Sequence, residues 1–182
     1  MGMIDLLRTR RSIRKYEQKR LNVNIIDVLI EALLRAPSSR SINPWEFILV
    51  DDRELLSTLS KTREHGSRHL QDAALGIVVA ADSRKSDVWI EDCSIASILV
   101  QMTAHDLGLG SCWIQIRNRD HSAELSAEKY VQDLLGLPEH LNVECMISIG
   151  HPDEQKNPVA ASVLDHDKIR HNHYSRVYRP EK

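Results

Sequence analysis

Cysteine is scarce and irregularly spaced in this sequence of 182 residues. Its three cysteines, Cys93, Cys112 and Cys145, form neither a CxxC pair nor an even set. This argues against a disulfide framework and a structural zinc site, and with no secretory signal at the N-terminus we expect a reduced, cytoplasmic protein. The longest apolar run, residues 73–81, is about half a membrane span. We therefore expect no membrane partner.

Aromatic residues are also rare, at 4% of the chain, and the formal charge of −2 provides no general basic field. Nucleic-acid binding needs a positively charged surface, and single-strand binding also needs aromatic rings on it. We therefore expect no nucleic-acid partner. The hydrophobic content of 42% is typical of a globular protein with an aliphatic core.

Domain boundaries are not evident, because the chain has no internal repeat, low-complexity tract or Gly/Ser linker. This predicts one domain over residues 1–182. Residues 157–182 form a polar C-terminal extension without a core pattern of their own. We expect this extension to wrap over another surface, such as that of a partner subunit.

Hydrophobic periodicity predicts helices and strands in irregular alternation, which favours an α+β fold over a regular doubly wound sheet. The predicted helices are residues 3–8, 25–34, 53–61, 88–107 and 127–135. The predicted strands are residues 47–50, 75–81, 111–117 and 143–149. The last strand alternates in character and is predicted to be half-buried, with Val143, Cys145, Ile147 and Ile149 on one face.

The helix predicted over residues 88–107 is apolar on almost all sides of its second half. Ile95, Leu99 and Met102 form one apolar stripe, and Ile98 adds to the apolar surface. A second stripe consists of Ala96, Val100, Ala104 and Leu107. Such a helix must be covered on most sides. In a chain of this length, a second subunit can provide part of the cover.

A basic segment near the N-terminus is a candidate phosphate site. It contains five cations and a hydroxyl within eight residues, namely Arg8, Arg10, Arg11, Ser12, Arg14 and Lys15. Guanidinium groups bind phosphate oxygens in pairs, and a hydroxyl can complete such a site. The alternative is an ordinary solvated basic patch, and the segment alone does not decide between the two.

Two further segments have the composition of binding loops. Residues 36–45, APSSRSINPW, hold hydroxyls and an amide between two prolines, which suits a polar heterocycle or a sugar-like chain. The alternative is an ordinary helix-to-strand connection. Residues 108–113, GLGSCW, lack the third glycine of a dinucleotide fingerprint and stand after a helix rather than before one. They indicate a helix stop, where glycine also permits close backbone approach to a flat ligand.

Other catalytic and metal-binding patterns lack support. The histidines of the C-terminal extension do not group with further ligands, so we expect no metal site. The sequence contains no GxSxG, P-loop or HExxH motif. Cys112 has no evident histidine partner, and we expect it to be a buried, unreactive thiol.

Taken together, these segments resemble the nitroreductase family of FMN-dependent oxidoreductases. The resemblance runs in the family's order through residues 10–14, 36–39 with 44–45, 91–92, 104–113, 136–139 and 149–152. It implies an α+β, three-layer fold with a central, mostly antiparallel sheet flanked by helices. It also implies an intertwined homodimer that binds two FMN molecules at its interface.

The resemblance implies which residues hold the cofactor. Arg10 and Ser12 would hold the FMN phosphate with Arg11 nearby, and Arg14 would lie toward the N1/O2 edge of the flavin. The loop of residues 36–45 from the other chain would line the ring and ribityl group, through Pro37, Ser38, Ser39, Ser41 and Asn43. Leu109 and Gly110 would present their backbone to the ring, and Arg170 would reach the phosphate.

The implied activity is hydride transfer from NADH or NADPH, through flavin N5, to an electron-poor acceptor such as a nitroaromatic or a quinone. No side-chain acid or base is required, and Arg14 is the implied electrostatic partner of the reduced ring. The alternative is a flavin carrier or redox sensor of the same fold without significant turnover, because both functions need the same binding site.

Overall fold

A four-stranded antiparallel sheet forms the centre of the computed structural model, which describes residues 2–179. Its strands are β1 (Trp45–Val50), β2 (Leu75–Asp82), β3 (Gly110–Gln115) and β4 (Leu141–Gly150). The order across the sheet is β1-β2-β4-β3. The central strands are therefore β2 and β4, and β1 and β3 are edge strands.

Helices cover both faces of this sheet. They are α1 (Met3–Thr9), α2 (Val23–Leu34), α3 (Arg53–Leu59), α4 (Trp89–Asp106) and α5 (Ala127–Leu135). Three of them begin at side-chain caps, Asn22, Asp52 and Ser126, which accept hydrogen bonds from backbone N–H groups of the first turn. Every predicted helix and strand is confirmed, and no bound differs from its prediction by more than two residues.

Two hydrophobic clusters make the fold a three-layer structure. Alternate side chains of β2 point to opposite faces, so that Ile77 and Val79 pack with α2 and α4, whereas Val78 and Ala80 pack with α3 and α5. Strand β2 is therefore buried on both sides. The predicted α+β fold with a central antiparallel sheet is confirmed.

Strand β4 is also buried on both faces, so the prediction of a half-buried strand was wrong. Even Glu144 is only 4% exposed, because the helical layers cover both sides of the sheet. A bulge at this residue also alters the alternation, since Val79 pairs with Cys145 while the next residue, Ala80, pairs with Val143. Val143 therefore faces α3 and α5, and Cys145 faces the other layer.

Helix α4 connects the two ends of the sheet. It has 18 residues, which makes it roughly 27 Å long. Its inner side packs in the core through Ala96, Val100 and Ala104. On its outer side Ile95 and Ile98 are 39% and 42% exposed, so one chain leaves an apolar face uncovered.

The C-terminal extension lies on the outside of the molecule. Residues 157–176 are all exposed, and they include a short hairpin formed by β5 (Arg170–His171) and β6 (His173–Val177). Large apolar side chains are exposed along this part of the chain, namely Val159, Val163, Leu164, Ile169, Tyr174 and Tyr178. Within residues 2–179, none of the helices has the length and hydrophobicity needed to cross a membrane.

Candidate binding site

The arginine segment, residues 10–15, runs in an extended conformation across the edge where β3 begins. Ser12 forms a parallel bridge to Ser111, and Ile13 N–H donates to Ser111 O at 3.0 Å. The hydroxyl of Tyr16 then donates to Ile13 O at 2.6 Å. The segment is thus fixed to the sheet through its backbone, which leaves its arginine side chains for other partners.

Gly110 allows the arginine segment to lie against the sheet. A Cβ atom at this position would be 2.7 Å from Cβ of Ile13. The space that the missing side chain leaves is therefore occupied by a side chain of the same chain, and the predicted approach of a flat ligand to this backbone stays a prediction. The neighbouring Leu109 is buried in the core, and Gly108, with φ +75°, follows the end of α4 in the left-handed conformation.

Glu154 and Lys156 support the arginine segment from the other side, and sequence reasoning missed both. Glu154 Oε1 accepts the N–H of Arg14 at 2.5 Å and lies 3.0 Å from Lys156 Nζ. Lys156 Nζ also donates to Ser12 O at 2.7 Å. Burial opposes ionisation of Glu154, but these hydrogen bonds prevail and lower its pKa. The run of charged residues directly after the IGHP motif was the available signal.

The three arginines of the segment have different partners. Arg11 donates from Nη1 to Asn157 O, so it attaches the start of the C-terminal extension. Within residues 2–179, neither Arg10 nor Arg14 forms an ion pair with a carboxylate. Arg10 and Arg14 are therefore the two that remain available to an anion.

His69 provides an unsatisfied polar atom beside Arg14. It lies in the 3-10 turn Arg68–Asp72 that precedes β2, and its buried Nε2 has no hydrogen-bond partner among the described residues. Burial, and secondly the charge of Arg14, lower its pKa to about 4, so the ring is neutral near pH 7. Buried polar atoms are normally hydrogen-bonded, so this ring nitrogen points to a ligand. Sequence reasoning missed His69, because nothing in its local sequence signals the contact.

Cys112 is buried in the same region, as the sequence predicted. Burial raises the pKa of its thiol, although the nearby Arg14 opposes this effect. The neutral thiol is not an activated nucleophile. The site therefore offers cations, amide groups and a neutral imidazole.

The serine-rich loop, residues 36–45, is held by hydrogen bonds within the loop and to α4. Ser38 Oγ donates to Asn43 Oδ1 at 2.6 Å and accepts from Asn43 N–H at 2.9 Å. Ser39 N–H donates to Oδ1 of Asp92 at 2.9 Å. Asp92, in the first turn of α4, is 2% exposed and also accepts from the hydroxyl of Ser86. This carboxylate fixes the loop to the N-terminal end of the helix.

The backbone of this loop is strained. Arg40, Ser41 and Asn43 have φ values of +53°, +53° and +50°. The left-handed region costs roughly 1–2 kcal/mol for a residue with a side chain, although Asn tolerates it better. Pro37, Ser41 and Asn43 are exposed. Backbone strain of this kind is concentrated at binding and catalytic sites in proteins.

The predicted site residues form two groups in a single chain. Arg10, Arg11, Ser12, Arg14, Leu109 and Gly110 lie together near the C-terminal end of α4. Pro37, Ser38, Ser39, Ser41 and Asn43 lie near its N-terminal end, where Asp92 holds the loop. Arg170 joins neither group, because its guanidinium lies 5.2 Å over the ring of Tyr174 in the C-terminal hairpin.

Comparisons with known proteins agree with this architecture. A family model described as the nitroreductase family matches residues 7–78 and 56–151. A relative from Methanothermobacter thermautotrophicus, provisionally named NADH dehydrogenase/NAD(P)H nitroreductase, is 33% identical over 172 residues. The match covers 93% of this chain and 86% of the relative.

Solved structures are also similar. An FMN-dependent nitroreductase from Clostridium difficile R20291 has 47% identity and a TM-score of 0.92, with 93% of this chain and 99% of that chain covered. A structure from Parabacteroides distasonis, also provisionally named NADH dehydrogenase/NAD(P)H nitroreductase, has 32% identity and a TM-score of 0.85 over 94% and 98% of the two chains.

Proposed function

Because this chain belongs to the nitroreductase family, we propose that the protein is an FMN-dependent oxidoreductase with NADH or NADPH as its reductant. The observation that carries the proposal is the arginine segment beside the unsatisfied nitrogen of His69. The names of the similar proteins, an FMN-dependent nitroreductase and an NAD(P)H nitroreductase, support it.

The residues near the start of β3 fit the phosphate and polar parts of FMN. Arg10 and Arg14 lack carboxylate partners within residues 2–179, and Ser12 adds a hydroxyl beside them. Lys156 adds a further positive charge, although this charge is paired with the carboxylate of Glu154. A flavin nucleotide would add both the missing anion and a hydrogen-bonding partner for the imidazole.

The chemistry belongs to the cofactor, and the chain supplies binding and charge. When bound, FMN accepts hydride at N5 and passes it to an electron-poor acceptor such as a nitroaromatic or a quinone. Arg14 is the proposed cation that stabilises negative charge on the reduced ring. The neutral His69 would hold the cofactor without adding a charge that changes near pH 7.

We also propose that two chains complete each site. Helix α4, roughly 27 Å long, separates the serine-rich loop from the arginine segment within one chain. A twofold axis across the middle of α4 would place the loop of one chain beside the arginine segment of the other. Pro37, Ser38, Ser39, Ser41 and Asn43 would then line the flavin from the second chain.

The uncovered apolar surfaces favour this homodimer. Ile95 and Ile98 expose an apolar face along α4, and Met3, Ile4 and Leu7 expose another along α1. The C-terminal extension, which is exposed throughout residues 157–176, would wrap the second chain. Docking of the extension on the second chain would be needed for Arg170 to reach the phosphate.

A flavin titration tests the proposed function. We expect the purified protein to bind added FMN and to show absorption bands at about 370 and 450 nm. NADH or NADPH should bleach the second band under anaerobic conditions. Protein that binds no FMN would contradict the proposal. Bound flavin that neither nucleotide reduces would favour the carrier or sensor instead. Turnover with nitroaromatics and quinones then compares acceptor classes.

A further inference from the structure

A hydrogen bond joins the C-terminal ends of α1 and α4 directly before the arginine segment. Nε2 of His105, in the last turn of α4, lies 2.8 Å from the hydroxyl oxygen of Thr9, the last residue of α1. This hydroxyl donates its proton to Asp5 O, also at 2.8 Å. Because a hydroxyl has one proton to donate, Thr9 accepts from His105. Nε2 is therefore the nitrogen of this ring that carries hydrogen.

The imidazole of His105 contributes a hydrogen bond rather than a charge. Burial, and secondly the positive charge of Arg10, lower its pKa, although the adjacent Asp106 opposes them. The ordinary pKa of histidine is about 6.5, so the ring is neutral near pH 7. Nε2 carries hydrogen in the neutral and in the protonated ring, so the bond to Thr9 persists in both forms.

Helix α1 depends on such contacts for its position. It has seven residues, and a helix of this length is not stable by itself in water. Leu6 is its buried side chain, whereas Met3, Ile4 and Leu7 are 60%, 55% and 56% exposed. A polar contact to the end of the long helix α4 therefore determines where α1 ends.

Arg10 lies between two fixed points of the backbone. Its N–H donates to Leu6 O at 2.8 Å, which closes the last turn of α1, and the preceding Thr9 is bound to α4. On its other side, Ser12 forms the bridge to Ser111 at the start of β3. The hydrogen bond from α4 and the bridge to the sheet thus hold this arginine from both directions along the chain.

We propose that His105 is a positioning residue for the cofactor, because it holds the end of α1 through Thr9 and so directs Arg10 toward the phosphate of FMN. This inference rests on the proposed function, in which Arg10 contacts the phosphate. An arginine that is already held in place loses less conformational freedom when the ligand binds, which increases affinity. His105 acts through Arg10 and not on the ligand itself.

A double-mutant cycle with FMN as the ligand tests this dependence. We expect His105→Ala and Thr9→Val each to raise the FMN dissociation constant about fivefold, the effect of one neutral hydrogen bond. Because both changes break the same bond, the double variant should bind FMN as well as either single variant. In protein that carries Arg10→Ala, the change His105→Ala should have no further effect. Fluorescence titration gives all of these constants.

Two further variants separate positioning from a general loss of structure. His105→Gln keeps an N–H donor at the end of the side chain and should restore most of the affinity. Thr58→Val is the matched control, because the hydroxyl of Thr58 also donates to the carbonyl four residues earlier, Glu54 O at 2.9 Å, but lies on α3. It should leave FMN affinity unchanged. Melting curves establish that the variants are folded.

Failure of this inference is distinguishable from failure of the proposed function. Equal FMN constants for wild type and His105→Ala overturn the inference. Additive effects of His105→Ala and Thr9→Val also overturn it, as does an undiminished effect of His105→Ala in the Arg10→Ala background. The proposed function survives these three results, since the wild type still binds FMN. Wild-type protein that binds no FMN contradicts the proposed function and the inference with it.

Discussion

The two ends of α4 present different kinds of binding surface. At the C-terminal end, the arginine segment has a regular backbone pairing with β3 and directs charge outward through Arg10 and Arg14. At the N-terminal end, the serine-rich loop has one charged side chain, Arg40, which is paired with Asp87, and its backbone is strained at Ser41 and Asn43. One end therefore provides charge, and the other provides shape.

The contacts that hold the arginine segment and the serine-rich loop in position differ as well. The arginine segment is held by backbone hydrogen bonds and by Glu154, whose carboxylate is shared with Lys156. The loop depends chiefly on the buried carboxylate of Asp92. A substitution at the C-terminal end of α4 should remove a direct contact and so weaken ligand binding. A substitution at the N-terminal end should weaken binding indirectly, by changing the position of the loop.

Substitutions on the outer face of α4 should reduce FMN affinity most, because the proposed dimer brings the arginine segment of one chain beside the serine-rich loop of the other. We expect Ile98→Glu to separate the chains and to reduce FMN affinity by more than about a hundredfold, since it would bury a charge in an apolar interface. Sedimentation velocity and equilibrium dialysis measure the two effects. Val23→Glu, at a residue 65% exposed on α2, is the control. An FMN-binding dimer of the Ile98 variant would refute the arrangement.

Loss of charge at the C-terminal end should have the next largest effect. Removing a guanidinium that contacts phosphate costs on the order of 2–3 kcal/mol, so Arg10→Ala should raise the FMN dissociation constant about 30-fold to 150-fold. Arg8→Ala is the matched control, because Arg8 is paired with Asp5 on α1. Fluorescence titration with FMN gives both constants, and equal constants would show that another cation binds the phosphate.

Loss of the fastening at the N-terminal end should have a smaller effect. Asp92→Ala removes the acceptor of Ser39 N–H, so the strained loop should lose its shape, and we expect FMN affinity to fall about tenfold. Asp87→Ala, which removes an exposed ion pair with Arg40, should leave affinity almost unchanged. The same titration measures both variants. Equal affinity of the Asp92 variant would mean that the loop contributes little to binding.

The smallest effect concerns pH. Between about pH 6.5 and 4 the unfolded chain protonates His69 while the folded chain resists it, so stability should decrease as the pH falls through this range. Linkage alone would give about 3 kcal/mol, and partial exposure of the ring reduces the expected loss to about 1 kcal/mol.

Urea unfolding of the flavin-free protein at several pH values measures this loss. Glu154 also titrates in acid, so the relevant quantity is the difference between wild type and His69→Gln. That difference should grow at high pH and shrink toward pH 4. A constant difference would indicate that the imidazole is solvated.

Much of the fold was predictable because its signals are local. The bounds of α5 follow from its cap Ser126 and from Gly136 after its end, both visible in the sequence. Nitroreductase membership was predictable for a related reason, since the motifs occur in the family's order. The bulge at Glu144 was not, because it depends on how two distant strands align.

The site was predictable only in part. Residues 10–14 stand out as a candidate phosphate site by their composition, but the support from Glu154 and the position of His69 arise where distant segments cross. The close contact of Gly110 with Ile13 is also tertiary. The roles assigned to the serine-rich loop and to Arg170 in holding FMN stay predictions.

The separation of the two half-sites by α4 has a genetic consequence. Each chain of the proposed dimer would contribute its arginines to one pocket and its loop to the other. Two alleles, one carrying Arg10→Ala and one carrying Asp92→Ala, would therefore complement each other when co-expressed. Every mixed dimer would combine one doubly defective pocket with one that is entirely wild type.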